Sequence, residues 1–277
     1  VNITPFASVR GTYFDEDASG DEAARYVGAW GAKVGLPPLW RAWRVDNRTL
    51  DIHHLRHIAV LDFTYESTYD ATKIPSQLLQ FDEVDAADTL DIATIRLRQR
   101  LQTKRPSAVK DDPMRTIDLV SLDGEADYFP EPDRDNNGEL WSELRLYSRC
   151  NLTDDVSLLG DGDYDTYDGK FDKAGVWLRV DHSPRTAYSL GTRYLRETSA
   201  SSVTVELDHL ITDRWAVLLQ GQHDIDSNDF LDGTLVLRRN LHRFVLEMSL
   251  DYDEGRDDTG VALRIYPLGF SGKREYF

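Results

Sequence analysis

One short acidic segment has spacing that resembles the start of a calcium-binding loop. Asp133, Asp135, Asn137 and Gly138 fit the opening of the D-x-[DN]-x-[DN]-G pattern, in which oxygen side chains coordinate Ca²⁺ and the glycine allows a sharp turn. That loop also requires a bidentate glutamate at its twelfth position, where this chain has Leu144. The segment therefore predicts a turn, and a calcium site is the weaker interpretation.

A second acidic run is denser, but it lacks the glycine of a calcium loop. Asp161, Asp163, Asp165 and Asp168 follow one another at short intervals, and Thr166 occupies the glycine position. The run predicts the tip of a hairpin. Clustered carboxylates in a water-exposed loop can hold a cation weakly, and divalent cations that bridge such loops to anionic lipids are the alternative interpretation.

The histidines and serines do not form a recognisable catalytic or metal-binding pattern. On a strand, His53 and His57 would share a face with His54 opposite, but they are too widely spaced to chelate one ion together. No G-x-S-x-G elbow, phosphate loop or dinucleotide fingerprint is present. The sequence therefore predicts a protein that is not an enzyme, with no catalytic residues, metal site or cofactor.

The elements that carry these residues are predicted to be strands, because apolar and polar residues alternate almost to the end of the chain. Between Phe244 and Asp251, for example, every second side chain is apolar. Side chains of a strand point alternately to opposite faces, so each such segment has one apolar and one polar face. We count about fourteen strands between residues 2 and 267, with one at 139–150 and none between 36 and 54. Residues 84–104 could also form an amphipathic helix, but their alternation and their neighbours favour a strand.

Composition excludes some classes of protein. None of the apolar runs in the 277 residues approaches the roughly 18 residues that a membrane-spanning helix needs. The formal net charge of −17 argues against nucleic acid as a partner, because phosphate binding requires basic patches. Cys150 is the only cysteine, so an intramolecular disulfide is impossible. An outer-membrane barrel with short, alternating spans remains possible.

Alternation alone is compatible with two architectures of opposite polarity. A soluble β-sandwich buries its apolar faces and leaves charge in bulk water, whereas a membrane barrel turns its apolar face to lipid. The number of strands, the long acidic turns and the aromatic residues near strand ends favour an all-β, antiparallel transmembrane β-barrel of outer-membrane type. In that barrel, a set of charged residues is predicted to face a hydrated lumen: Glu143, Arg145, Arg179, Glu206, Asp208, Arg238, Glu247 and Arg264.

One stretch resembles the barrel of the LPS-assembly outer-membrane protein, also called the organic solvent tolerance protein. The resemblance rests on His54–Tyr65, on the F-D-x-x-D segment at 81–85 and on the basic segment Arg96–Arg105. Later features in the same order are Trp215 after a turn and a final strand that ends at Tyr266-Pro-Leu-Gly. The chain departs from the family because it lacks the proline that often follows the strand-opening histidine, and because it has a single cysteine.

The resemblance implies a location, a function and partners. Residues 1–277 would be the C-terminal portion of the barrel domain in the cell outer membrane, and a periplasmic domain and the first strands would lie upstream. The barrel would insert lipopolysaccharide into the outer leaflet through its lumen and a lateral seam. The implied partners are lipopolysaccharide, other outer-membrane lipids, a plug lipoprotein in the lumen and a periplasmic bridge protein.

The predicted seam lies at the last strand, whose residues Val261, Leu263, Ile265 and Pro267 would form one side of it. Proline lacks the N–H that a strand ladder needs, so Pro267 would shorten the pairing there or would simply end the strand. Two alternatives remain open. One is a self-contained barrel resembling a porin or adhesin, and the other is a secreted soluble β-sandwich that binds carbohydrate.

Overall fold

The computed structural model describes residues 1–70, 77, 88–106 and 114–267, and these form a single antiparallel sheet. The strands are β1 (Asn2–Phe14), β2 (Ala23–Gly35), β3 (Leu39–Asn47), β4 (Ile52–Asp70), β5 (Leu90–Pro106), β6 (Met114–Tyr128), β7 (Leu144–Asn151), β8 (Val156–Asp165), β9 (Lys170–Ser183), β10 (Thr186–Leu195), β11 (Ala200–Leu210), β12 (Trp215–Asp224), β13 (Phe230–Asn240), β14 (Phe244–Asp253) and β15 (Asp258–Pro267). One helical turn, α1 (Pro132–Asp135), lies between β6 and β7. Within this part of the chain, no helix is long and apolar enough to cross a membrane.

Each strand pairs with its neighbour in sequence, except that β2 pairs with β4. β3 also pairs with β4, outside the main order. All of the pairings are antiparallel, which confirms the predicted all-β, antiparallel fold. β5 pairs with β4 on one side and β6 on the other, so residues 90–106 are a strand and the amphipathic helix is excluded.

β3 is a strand that the sequence analysis did not predict, and it continues the line of β2. Gly35 pairs with Asp62, and Leu39 pairs with Ala59, so both strands use β4 as their partner with a small shift of register between them. The shift coincides with Pro37 and Pro38, which have no N–H to donate to a ladder. The chain thus runs past two prolines without reversing, and the sheet has fourteen side-by-side positions plus this extension.

The strand that contains Cys150, β7, begins later than predicted, and a structured connection takes the place of its first predicted residues. We predicted a strand from residue 139, but β7 starts at Leu144. The connection is held to the sheet by an isolated bridge between Tyr128 and Trp141, whose rings meet edge to face at 5.1 Å. Phe129 and Leu140 add a backbone hydrogen bond of 2.8 Å. These contacts hold the segment against the end of β6.

The strand registers trace two continuous faces across the sheet, because directly opposed residues on paired strands point to the same side. One row on the polar face runs through Asp62, Arg96, Glu125, Arg145, Asp163 and Lys173. One row on the apolar face runs through Val217, Leu237, Met248 and Leu263. The alternation seen in single strands is therefore in phase from strand to strand.

The apolar face is the exposed one. Leu219, Leu235 and Met248 are 47%, 41% and 47% exposed, whereas Glu247 and Ser249 on the polar face are 6% and 5% exposed. A soluble sandwich would bury the first group and expose the second. The observed polarity is the reverse of a sandwich, and it is the polarity of an outer-membrane barrel, whose lipid-facing surface must be apolar.

The two terminal strands of the sheet each have one free edge. β1 pairs only with β2, β15 pairs only with β14, and β1 and β15 do not contact each other among the described residues. β1 is the first and β15 the last of the fourteen alternating positions, so the two strands run in opposite directions. They are therefore oriented as the two edges of an even-stranded barrel would be before they pair.

Arg105, near the end of β5, ties two turns together at one end of the sheet. Its guanidinium donates to the carbonyl of Leu152 at 2.9 Å and to Asp154 at 3.2 Å, and it lies 3.5 Å from Asp51. The side chain is 1% exposed. Burial raises the pKa of Asp154, but hydrogen bonds from Arg115 and Arg105 outweigh that effect, so the pKa lies below its usual value of 3.8.

Replacing Arg105 with methionine is expected to destabilise the folded protein by about 1.5–3 kcal/mol, the usual loss for hydrogen bonds to a charged group. Because the Asp154 carboxylate has a lowered pKa, its stabilisation is present above pH 3.8 and disappears as the pH falls below that value. Urea unfolding at neutral and acid pH measures both effects. An R105M protein that kept the wild-type free energy of unfolding and the wild-type acid dependence would contradict this assignment.

Candidate functional site

The polar face carries a network of paired charges in its first half. Arg145 of β7 lies 2.8 Å from Glu125 and donates to Asp127 at 2.5 Å. Arg96 of β5 pairs with the other side of Glu125, and Thr94 donates to Asp127 at 2.6 Å. Three neighbouring strands are thus joined by alternating acidic and basic groups, as opposite charges on facing strand positions stabilise a sheet.

The arginines of β5 form the largest run of positive charge on this face. Arg96, Arg98 and Arg100 occupy successive positions of the polar face, and Arg98 pairs with Asp62 of β4. Arg100 is farther from its acidic neighbour, at 3.7 Å from Asp118. All three guanidinium side chains are about half exposed, at 53%, 45% and 56%, so they remain accessible to water and ions.

An aromatic side chain covers two glycines on the polar face at β9 and β10. Trp177 lies across Gly175 and Gly191, and the guanidinium carbon of Arg193 lies 5.0 Å from the ring centroid. A Cβ atom at Gly191 would be 1.9 Å from Cδ1 of Trp177. Only glycine at this position leaves room for the indole to lie flat against the sheet.

Replacing Gly191 with leucine is therefore expected to displace the Trp177 ring and to cost roughly 1–3 kcal/mol, as overpacking does. The displaced indole also loses its contact with Arg193. Trp177 fluorescence, measured with the other tryptophans replaced by phenylalanine, should shift to longer wavelength. Leucine at Gly255, in the turn after β14, is the matched control and should change neither the spectrum nor the free energy of unfolding. An unchanged spectrum in G191L would contradict the proposed packing.

Glu247 is the centre of a second charged cluster, close to the free edge of β15. It accepts hydrogen bonds from Arg238 at 3.0 Å, from Arg264 at 3.2 Å and from the Tyr266 hydroxyl at 3.0 Å. Its side chain is 8% exposed. These bonds link β13, β14 and β15 on the polar face, so β15 is held firmly to β14.

On β11, β13 and β14 the polar face carries four carboxylates outside any ion pair of the described residues. Glu206 accepts from Ser189 at 2.8 Å, and Asp251 accepts from Thr234 at 2.9 Å. Asp208 and Asp232 lie on the same face, and none of these four carboxylates has an ion-pair partner among the described residues. The polar face thus has an arginine-rich part at β5 and an acidic part at β11 to β14.

The structure places seven of the eight predicted lumen residues within strands on the polar face. Arg145, Arg238, Glu247 and Arg264 enter the two clusters, while the other three lie on β9 and β11: Arg179, Glu206 and Asp208. Glu143 precedes β7, and burial together with a hydrogen bond to Asp172 raises its pKa. The β5 arginines were not among the predicted lumen residues, although they alternate with apolar residues in the sequence.

The predicted seam residues lie on the free-edged strand β15. Val261, Leu263 and Ile265 are on the apolar face and are 76%, 64% and 64% exposed. Pro267 is the last residue of the strand, opposite Phe244. The placement agrees with either interpretation of Pro267, which was expected to shorten the pairing or to end the strand.

The segments weighed as metal sites use their side chains within the protein. Asp135 of α1 pairs with Arg134 at 2.6 Å, and Arg134 lowers the pKa of this carboxyl group. His53 pairs with Asp46 at 2.9 Å, and His57 contacts Gln99 at 3.1 Å. Across residues 1–70, 77, 88–106 and 114–267, no group of three or more such side chains is placed to hold a metal ion.

Solved structures similar to this chain are outer-membrane proteins, at low similarity. Two engineered variants of the Rhodopseudomonas blastica porin are each 10% identical and give TM-scores of 0.46 and 0.43, with 96% of this chain and 100% of the porin covered. FpvAI in its complex with pyocin S2 is 10% identical, with a TM-score of 0.36, 95% of this chain covered and 44% of that chain covered. Scores below 0.5 do not say what the chain does.

No protein-family model and no curated protein sequence matches the chain. The resemblance to the LPS-assembly family therefore remains a prediction, and its F-D-x-x-D segment at 81–85 lies outside the described residues. The coarser assignment rests on the chain's own surface. A fourteen-position antiparallel sheet with its apolar face exposed is an outer-membrane β-barrel sheet, and its location is the outer membrane.

Proposed function

We propose that this chain forms a passive, water-filled pore in the outer membrane, as a porin does, and that it catalyses no reaction. The observation that carries the proposal is the polarity of the sheet, with charged residues on its enclosed face and aliphatic residues on its exposed face. A lumen lined by ionised groups favours water and small hydrophilic solutes. The paired charges of β5 to β7 would fix the shape of that lining.

A pore requires a closed ring, and the free edges of β1 and β15 supply the two strands that must pair. Both edges belong to regular strands, of 13 and 10 residues, and they run in opposite directions. Unpaired backbone groups are costly in a membrane, which strongly favours closure there. Pairing of β1 with β15 can be tested by three double-cysteine variants in a C150S background. Each has a cysteine at Ala262 and a second cysteine at Thr4, Ser8 or Thr12. One of the three pairs should form a disulfide.

Conductance in a planar lipid bilayer tests the pore directly. Detergent-folded protein should insert and give uniform, ohmic current steps, and closing the β1–β15 seam with the disulfide should leave the step size unchanged. Folded and inserted protein that gave no current would contradict the pore. A current that vanished only after the disulfide formed would instead indicate that the seam must open.

Lipopolysaccharide insertion is the second candidate, and the observation that favours it is the free edge of β15. Because Glu247 fixes β15 to β14, any lateral opening would lie on the other side of β15, where the exposed Val261 and Leu263 face outward. A photo-crosslinking amino acid in place of Leu263 should then cross-link the protein to lipopolysaccharide at the edge. No cross-linking there, together with ohmic conduction, would leave the pore as the function.

A further inference from the structure

Several arginines in the described part of this acidic chain have no acidic partner, and some of them lie together with a histidine where β12 begins and β13 ends. Arg214, Arg239, His242 and Arg243 have no ion-pair partner among the described residues. The turns at 211–214 and 241–243 contain one acidic residue, Asp213, and it is paired with Arg185 at 2.7 Å. A local excess of positive charge in a chain of net charge −17 calls for an anionic partner.

Three of these residues line a cavity of about 420 Å³, whose walls are Arg214, Arg239, Asn240, Leu241 and His242. The backbone N–H of Asn240 donates to the carbonyl of Arg214 at 2.8 Å, which fixes the two turns beside each other. The Arg239 guanidinium carbon lies 5.0 Å from the Trp215 ring centroid. The cavity is thus a basic pocket, and one of its arginines contacts an aromatic ring.

The position of the pocket on the sheet identifies the kind of anion. Arg239 and its partner Trp215 belong to the outward, apolar face, and the next row of that face is Val217, Leu237 and Met248. The basic pocket therefore lies where the aliphatic surface ends. Tryptophan and arginine at such a boundary are typical of the region of lipid headgroups.

We propose that this pocket binds the phosphate headgroup of an anionic phospholipid, whose acyl chains lie along the aliphatic rows of β12 to β14. Arg214 and Arg239 would contact the phosphate, and Trp215 would lie beside the glycerol backbone. Because the pocket is at the end of the sheet with the short turns, the lipid belongs to the periplasmic leaflet. The inference requires that the chain lie in a membrane, and it does not depend on conduction.

Native mass spectrometry of the detergent-folded protein tests the site by titration with phosphatidylglycerol. The wild type should retain one phosphatidylglycerol in preference to phosphatidylcholine, and millimolar inorganic phosphate should not displace it. Glutamine at both Arg214 and Arg239 should weaken binding about 5-fold for each arginine removed. Arg256→Gln, in a turn at the opposite end of the sheet, removes one positive charge, as the single Arg214→Gln and Arg239→Gln variants do, and should bind as the wild type does.

Three outcomes would overturn the site. They are equal retention of the two lipids by the wild type, displacement by inorganic phosphate alone, and an equal loss of binding in R256Q and in the double variant. The comparison of lipids uses only the wild-type protein, so it holds even where a variant folds poorly. A protein that binds the lipid but passes no current would refute the pore and keep the lipid site.

Discussion

Replacing Leu219 with arginine is expected to destabilise the membrane-folded protein by about 2–4 kcal/mol, the cost of a cation at mid-depth on the lipid face of a barrel. Leu219 lies in the middle of β12, on the apolar face, and is 47% exposed. In a water-soluble protein, the same substitution at a half-exposed position would be close to neutral. Reversible unfolding in lipid vesicles, followed by tryptophan fluorescence, measures the difference.

The neighbouring residue provides the matched control. Gln220 points to the polar face, where it lies opposite Glu206 and Thr234. Arginine at Gln220 would meet water and an acidic partner, so its expected effect on the free energy of unfolding is near zero. Equal destabilisation by L219R and Q220R would contradict the assignment of the two faces.

The second large effect concerns ion selectivity. Replacing Arg96, Arg98 and Arg100 with glutamine removes three positive charges from the polar face. Asp62 and Asp118 lose their bases, and Glu125 keeps only Arg145. The lining becomes more acidic, so we expect the permeability ratio of cations to anions to rise several-fold, because rings of carboxylates favour cations. The reversal potential across a bilayer in a salt gradient measures this ratio.

Arg185→Gln serves as the control for that experiment. Arg185 pairs with Asp213 in a turn beyond the end of the strands, so its loss changes the net charge without changing the lining. The reversal potential should stay at the wild-type value in R185Q. In the triple variant, the reversal potential should move back toward the wild-type value at high salt, where charges are screened. A triple variant with wild-type selectivity would show that β5 does not line the ion path.

Strand identity and phase were accessible from the sequence because both depend on local alternation. The segment Phe244–Asp251 and the β5 run of Arg96, Arg98 and Arg100 each show a period of two, and the structure places them in strands as predicted. What alternation cannot show is which face is outward, since a sandwich and a barrel share the same pattern. The exposure of Leu219 and burial of Glu247 decide that question.

Features that depend on contacts distant in sequence were not predictable. β3 was missed because Pro37 and Pro38 normally end a strand, whereas here they mark a small shift along one partner. The fit of Trp177 over Gly191 depends on the register of two strands. The partners of Arg105 come from turns about fifty residues away on either side, and no local pattern reports them.

Thiol accessibility along β12 in a lipid bilayer tests the central claim most directly. Single cysteines at positions 216 to 223, in a C150S background, are treated with a water-soluble, membrane-impermeant thiol reagent that is small enough to enter a pore. The chain's polarity predicts labelling at Ala216, Leu218, Gln220 and Gln222, and protection at Val217 and Leu219. Labelling without a period of two, or strong labelling of Val217 and Leu219, would contradict a lipid-facing apolar surface and a hydrated polar one.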